Sequence, residues 1–265
     1  MNFNPTVTEA LNLRKTCTIS DKRWLRYAPA YVVTNEKLHN EMAFMPKNCD
    51  KALTVAASGD HPLFCKLYGA KHVTTFDITC HAKIITDIKI AALHELNIDE
   101  YWQLLSNLYG TRDVISVPNM NKIMPHLSPA IQTYLMDTPK MRVSLFSCGQ
   151  NVNSYVQDNV CVSDYQKLKN LVKKPFDFMW DDVIDLQLTE KYDFIHLSNI
   201  SDYISYNDMG KVLVNMINHT NVGGCILAQQ QNRPDAELLC SQIPKQLPNW
   251  KLLSHGRINV LQRIR

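Results

Sequence analysis

The stretch from Leu53 to Leu96 constrains this chain more than any other. It reads as strand, turn, helix, strand, helix. The run LTVAA ends in Ser58-Gly59-Asp60, a helix-length segment follows, and a second apolar run ends on Asp77. A glycine turn after one strand and a carboxylate after the next is how doubly wound α/β folds hold a nucleoside. Gly59 would let the backbone approach a ligand with no Cβ in the way. Asp77 can accept hydrogen bonds from two ribose hydroxyls, and it follows the glycine at close to the fingerprint spacing. The turn carries one glycine rather than G-x-G-x-x-G, so an ordinary βα turn that binds nothing competes for the same residues.

The flanking pattern extends the alternation. Residues 1–48 precede the first core strand and form an N-terminal arm or lid; Thr6 to Leu13 starts with a short helix, and Asn35 to Phe44 is helical up to Pro46. Leu53 to Ala57 and Val73 to Phe76 are strands of the buried parallel type. The helix His81 to Leu96 places Ile85, Ile88, Ala92 and Leu96 on one stripe, which leaves Lys83, Lys89 and Glu95 solvated. Residues 97–172 are helical in part and punctuated by Pro118, Pro125, Pro129 and Pro139. They are too long for a loop and are expected to be a helical cap inserted in the α/β domain of residues 49–265. Strands resume at Phe176 to Trp180 and Tyr192 to Leu197. A helix spans Asn207 to Thr220, and Gly223-Gly224 turns into the strand Cys225 to Ala228. Pro234 to Ile243 is helical, and Trp250 to Ser254 with Ile258 to Arg263 closes the chain as a strand pair. Such an order predicts a mostly parallel sheet with helices on both faces and an antiparallel edge strand.

Composition narrows the function classes. The 265 residues carry a net charge of +3, too little to argue for nucleic acid, with basic residues spread along the chain. None of the eight cysteines forms a C-x-x-C pair, and no Cys/His group has zinc-ligand spacing, so no metal is expected. There is no apolar leader and no run of membrane-span length, and a cytoplasmic protein is the expectation.

In an open α/β sheet, ligands bind beyond the carboxyl ends of the strands. The ends here are Ser58-Gly59-Asp60, Asp77, Asp181-Asp182 and Ser198-Asn199, expected to converge on one crevice. An acid after the third core strand can accept from an adenine amino group; Asp181 is the first choice and Asp182 the second, although Asp182 equally suits a helix N-cap. Ser198 and Asn199 offer donors and acceptors at the reacting end. Asp202 suits a general base or the orientation of an amino group, and also a cap. No Ser-His-Asp arrangement or phosphate-binding P-loop is present. His61 adjoins the glycine turn and reads as a satisfied structural histidine.

The runs VAASGDHPL, GAKHVTTFDI, IKIAALHEL and HLSNISDYI resemble the BtaA-type S-adenosylmethionine-dependent aminocarboxypropyltransferases, within the class I methyltransferase-like, Rossmann-like α/β fold. The likeness covers about Leu53 to Leu96 and Tyr192 to Tyr203. It implies S-adenosylmethionine as donor, with Ser58, Gly59 and Asp60 on its amino acid and ribose side. Asp77 would hold the ribose with Ile78 beside it, Asp181 or Asp182 the adenine, and Ser198-Asn199 the sulfonium region. The acceptor would attack Cγ of the methionine chain and release methylthioadenosine. Arg26, Tyr27, Tyr31 and Arg112 are candidates for gripping the methionine carboxylate; Asn199, Asp202 and Tyr203 are candidates for catalysis. The acceptor would be a small molecule or a lipid. A small-molecule methyltransferase, or lysis or cyclisation of the donor, is the alternative.

Overall fold

Seven strands form the main sheet, most of them separated by helices, in a computed structural model that describes residues 3–18, 21–147 and 162–265. They are β1 (Lys51–Val55), β2 (His72–Asp77), β3 (Asp177–Trp180), β4 (Tyr192–His196), β5 (Thr220–Gln229), β6 (Trp250–Ser254) and β7 (Ile258–Arg263). Hydrogen-bonded neighbours run β3-β2-β1-β4-β5-β7-β6. Strand β1 pairs in parallel with β2 and β4, and β4 with β5; β7 is antiparallel to both β5 and β6. This mostly parallel order, with one antiparallel strand, β7, inserted between β5 and the edge strand β6, is the class I methyltransferase-like fold expected from the sequence. The apolar runs of β1 and β4 are explained by burial on both faces, which leaves Ala52, Leu53, Phe194 and Ile195 without exposed surface.

Contacts divide the chain into two compact units. One comprises the described residues of Met1–Glu36, Ala56–Leu63 and Asp77–Trp180; the other comprises Lys37–Val55, Phe64–Phe76 and Asp181–Arg265. In the first, the expected helical character of residues 97–172 takes the form of helices Ile98–Leu108, Met120–Ile123, Pro129–Asp137 and Val162–Leu171. The two-residue strand Ala30–Tyr31 pairs in parallel with Phe146–Ser147, so the N-terminal arm is tied to this helical segment. In the second unit, the helix Tyr206–Asn218 buries Met209, Val212, Leu213 and Met216 along one face.

Two local expectations change. The helix Cys80–Glu95 is not half solvated: thirteen of its sixteen residues are buried, Lys89 among them. The strand Ala30–Tyr31 and the helices Met120–Ile123 and Val162–Leu171 pack around it, so there is no solvent face to predict from a stripe. Lys83 stays near the surface, paired with Asp87 at 2.6 Å, and Glu95 is exposed as expected. In β5, Gly223-Gly224 does not precede the strand but lies inside it. Tyr192 pairs with Thr220 and Phe194 with Cys225, so five residues of β5 advance against two of β4. A Cβ at Gly224 would stand 2.9 Å from the carbonyl oxygens of Asp193 and Asn221, and only glycine fits this bulge.

Lys89 is buried against the carboxylate of Asp60, and neither side chain has exposed surface. Burial pulls the ammonium below its usual range and the carboxylate pulls it back. Removing one partner leaves the other charge uncompensated. Lys89→Met is expected to lower stability by about 3–5 kcal/mol in urea denaturation. The double variant Asp60→Asn with Lys89→Met should recover most of that loss.

Candidate functional site

The carboxylate of Asp77 closes the turn at the carboxyl end of β2. Its Oδ2 accepts the Ala57 N–H at 2.9 Å, and its Oδ1 accepts the Thr79 N–H at 3.0 Å. One acid thereby joins Ala57, two residues past β1, to the N-cap of the helix Cys80–Glu95, where the Thr79 side chain accepts from the His81 N–H. Burial pushes the Asp77 carboxyl up to about 6, against the downward pull of the Thr79, Ala57 and Ile78 backbone N–H groups. The side chain is only half-buried, so lone pairs remain for a further donor.

The arm is hydrogen-bonded onto this turn. Thr79 Oγ1 donates to the Ala28 carbonyl at 2.6 Å, and the Cys80 N–H donates to the Arg26 carbonyl at 2.9 Å. His81 Nδ1 lies 2.8 Å from the same Ala28 oxygen. A carbonyl only accepts, so Nδ1 carries the proton and Nε2 accepts from the Tyr134 hydroxyl at 2.8 Å. Burial lowers His81 to about 4, which keeps the ring neutral at physiological pH. Trp180 donates its indole N–H to the Ile78 carbonyl at 2.9 Å, and the Arg26 guanidinium lies 3.9 Å from the Trp180 ring centroid.

The glycine turn has a packing reason of its own, besides the ligand approach read in the sequence. Gly59 has φ +83°, and a Cβ there would lie 2.9 Å from the Thr86 Cα and Oγ1. The bare backbone is required by the helix Cys80–Glu95 packed against it. Asp60 is likewise committed to the fold: besides Lys89, it accepts the Thr34 N–H at 2.9 Å and the Ser58 hydroxyl at 2.7 Å. His61 is 1% exposed and sits 2.5 Å from Glu36 Oε2, in keeping with a structural histidine.

The four residues expected to grip a carboxylate differ in availability. Tyr27 is 2% exposed; its hydroxyl donates to Glu9 Oε2 at 2.7 Å and accepts the Thr6 N–H at 3.2 Å, so it is occupied within the arm. Arg26 is half-buried beside Trp180, Tyr31 is 40% exposed, and Arg112 is exposed after Gly110.

The remaining sequence candidates belong to the second unit. Asp181 Oδ1 accepts the Asp182 N–H, and Asp182 Oδ1 accepts the Ile184 N–H two residues on, so Asp182 closes a turn rather than capping a helix. Ser198, following β4, has φ +54°, and its hydroxyl bonds Asn199 Oδ1 at 3.2 Å. Asp202 has a different role from the expected base. Its carboxylate accepts the N–H groups of Gln231, Asn232 and Arg233 at 2.9, 3.1 and 3.0 Å. Those donors occupy three of the carboxylate's four lone-pair sites and fix the loop after β5. Tyr203 is 68% exposed. The sequence reading passed over Trp180, Thr79 and His196. An indole at a strand end, a threonine before a helix and a histidine inside an apolar strand were the available signals.

No family model matches the sequence, and no curated protein matches it. Solved structures align with most of the chain. An rRNA methylase from Streptococcus thermophilus shares 9% identity over 87% of this chain and 98% of its own, with a TM-score of 0.43. A ribosomal protein L11 methylase from Lactobacillus delbrueckii subsp. bulgaricus shares 11% over 88% and 79%, at 0.42. The N-methyltransferase NodS from Bradyrhizobium japonicum, in complex with S-adenosylhomocysteine, shares 8% over 97% and 99%, also at 0.42.

Gly59 gives a direct check on the turn. Gly59→Ala adds both a left-handed φ cost and a clash with the Thr86 backbone. It is expected to destabilise the ligand-free protein by about 2–4 kcal/mol in thermal or urea unfolding. A loss below about 0.5 kcal/mol would refute the packing account.

Proposed function

We propose that this chain is a transferase that takes S-adenosylmethionine as donor. One observation carries the reading: the half-buried carboxylate of Asp77 ends β2 in a class I strand order, braced by the Ala57 and Thr79 N–H groups. In open α/β sheets this is the position at which an acid receives ribose hydroxyls. The residues present fit such a ligand. Asp77 is pre-aimed by two backbone donors, keeps lone pairs free, and has Ile78 beside it. Ser58, Gly59 and Asp60 act by shaping the turn. Asp181 or Asp182 is the proposed adenine acceptor, and Ser198 with Asn199 the segment proposed to face the sulfonium. Arg26, Tyr31 and Arg112 are proposed for the donor's carboxylate.

A sulfonium makes all three attached carbons electrophilic, and the protein selects among them by presenting one in line with the nucleophile. The sequence motifs favour transfer of the 3-amino-3-carboxypropyl group to a small-molecule or lipid acceptor. The second reading is methyl transfer, which the strand order favours equally, since that order is the methyltransferase-like one. Incubation with donor and acceptor extract separates them. Methylthioadenosine as product supports the first, and S-adenosylhomocysteine the second. Among the described residues no helix is long and apolar enough to cross a membrane.

Calorimetry tests the donor reading. The wild-type chain should bind S-adenosylmethionine, and Asp77→Ala should weaken binding about 10- to 100-fold, as expected for hydrogen bonds to a charged group. Because Asp77 titrates at about 6, wild-type affinity should rise between pH 5 and 7, and Asp77→Asn should flatten that dependence. The same shift has a sign for stability. Between its ordinary 3.8 and about 6 the folded chain holds this proton more tightly than the unfolded chain. The contribution of Asp77 to stability therefore declines as pH rises through that window. Absence of binding heat from folded wild-type protein would overturn the donor reading.

A further inference from the structure

Strand β4 carries a histidine where its neighbours are apolar. His196 has no exposed surface, and Glu41, its partner from the helix Leu38–Met42, is 1% exposed. Both residues, and the Ser198 turn, belong to the same compact unit. His196 Nε2 lies 2.7 Å from Glu41 Oε2, and the Ser198 N–H lies 3.2 Å from His196 Nδ1. A backbone N–H can only donate, so Nδ1 presents its lone pair. A carboxylate accepts, so Nε2 carries the hydrogen. The two bonds call for the same tautomer, the neutral ring protonated at Nε2.

Ser198 is where this chain of bonds ends, and it is an unusual residue. Its φ of +54° is left-handed, a conformation that a side chain with a Cβ adopts only when its surroundings fix it. The imidazole fixes its N–H, and the Gln229 N–H, at 2.7 Å, fixes its carbonyl. Gln229 is fixed in turn by the Ser201 hydroxyl, which donates to its carbonyl at 2.9 Å. With both peptide groups held, the Ser198 hydroxyl reaches Asn199 Oδ1.

We propose that His196 is a positioning residue for the Ser198-Asn199 segment, with Glu41 selecting the imidazole tautomer that makes this possible. The proposal rests on the reading that Ser198-Asn199 faces the donor's sulfonium. It adds to that reading a buried Glu41–His196–Ser198 relay that sets the segment's backbone before ligand arrives. The relay binds no substrate atom itself. A hydrophobic residue at position 196 would continue the strand core but would supply no acceptor for the Ser198 N–H. A buried carboxylate held by a neutral imidazole is a poor source of net stability. Its use here is orientation.

Two amide variants separate the two ring nitrogens. His196→Asn places an oxygen acceptor near the Nδ1 position and abandons Glu41. His196→Gln places an N–H donor near the Nε2 position and abandons Ser198. Unfolding and donor affinity should then move in opposite orders. His196→Asn should lose more thermal stability, because a buried carboxylate loses its partner. Yet it should bind S-adenosylmethionine within about 3-fold of wild type, while His196→Gln should bind about 10-fold more weakly, the size of one lost hydrogen bond to a polar group. If affinity simply follows stability across the two variants, or is equal in both, the positioning role is overturned.

Two measurements need no donor. Imidazole nitrogen NMR on the wild-type chain should show His196 protonated at Nε2 alone; protonation at Nδ1 overturns the proposal. Hydrogen exchange at the Ser198 amide should be slow in wild type and His196→Asn and fast in His196→Gln. Equal protection in the two variants also overturns it. Should wild-type protein bind no S-adenosylmethionine, the donor reading fails, and these two measurements still decide whether the relay holds the turn.

Discussion

The buried contact between Asp60 and Lys89 is the interaction on which the glycine turn and the arm depend. Two opposite charges without solvent are stable only if every remaining lone pair is used well, and Asp60 uses its own on Ser58 and on the Thr34 N–H. That geometry draws three segments together: the arm near Thr34, the turn after β1 and the middle of the helix Cys80–Glu95. It also explains why Gly59 must be bare, because the helix that brings Lys89 to Asp60 presses its Thr86 backbone against the turn. Specificity of arrangement, rather than net stability, is what such a pair supplies.

Acids at strand ends therefore divide by use. Asp60 and Asp202 spend their oxygens on the fold, the first on a lysine and two neighbours, the second on three successive backbone amides. Asp77 takes two backbone donors and remains half open. Sequence position alone did not separate them, since all three follow strands or turns in the same manner. What separates them is how many donors, from backbone and side chains together, reach each carboxylate, and this depends on tertiary structure.

The fold was legible because its signals are local. Apolar runs of strand length and the closing strand pair each depend on neighbours along the chain, and β6 and β7 have the bounds read from the sequence. Lys89 was misread because helical periodicity assumes one solvated face, and this helix has none. The glycines of β5 were misread because Gly-Gly is a turn signal in isolation, while a bulge is defined by the partner strand. His196 was overlooked because its two bonds reach a helix 155 positions upstream and a peptide group two residues on, and only folding joins them. The carboxylate-gripping set shows the same limit. Tyr27 looked available by composition, yet the arm closes on its hydroxyl.

The bulge in β5 has a consequence for how the sheet is assembled. A strand that slides by one residue exchanges its two faces, and where both faces are apolar and buried the hydrophobic penalty for that exchange is small. Here a slide would bring a residue with a Cβ to the place where the Asp193 and Asn221 oxygens leave room for none. The irregularity works as a tooth in a ratchet, allowing the fourth and fifth strands to mesh in one setting and jamming in the others.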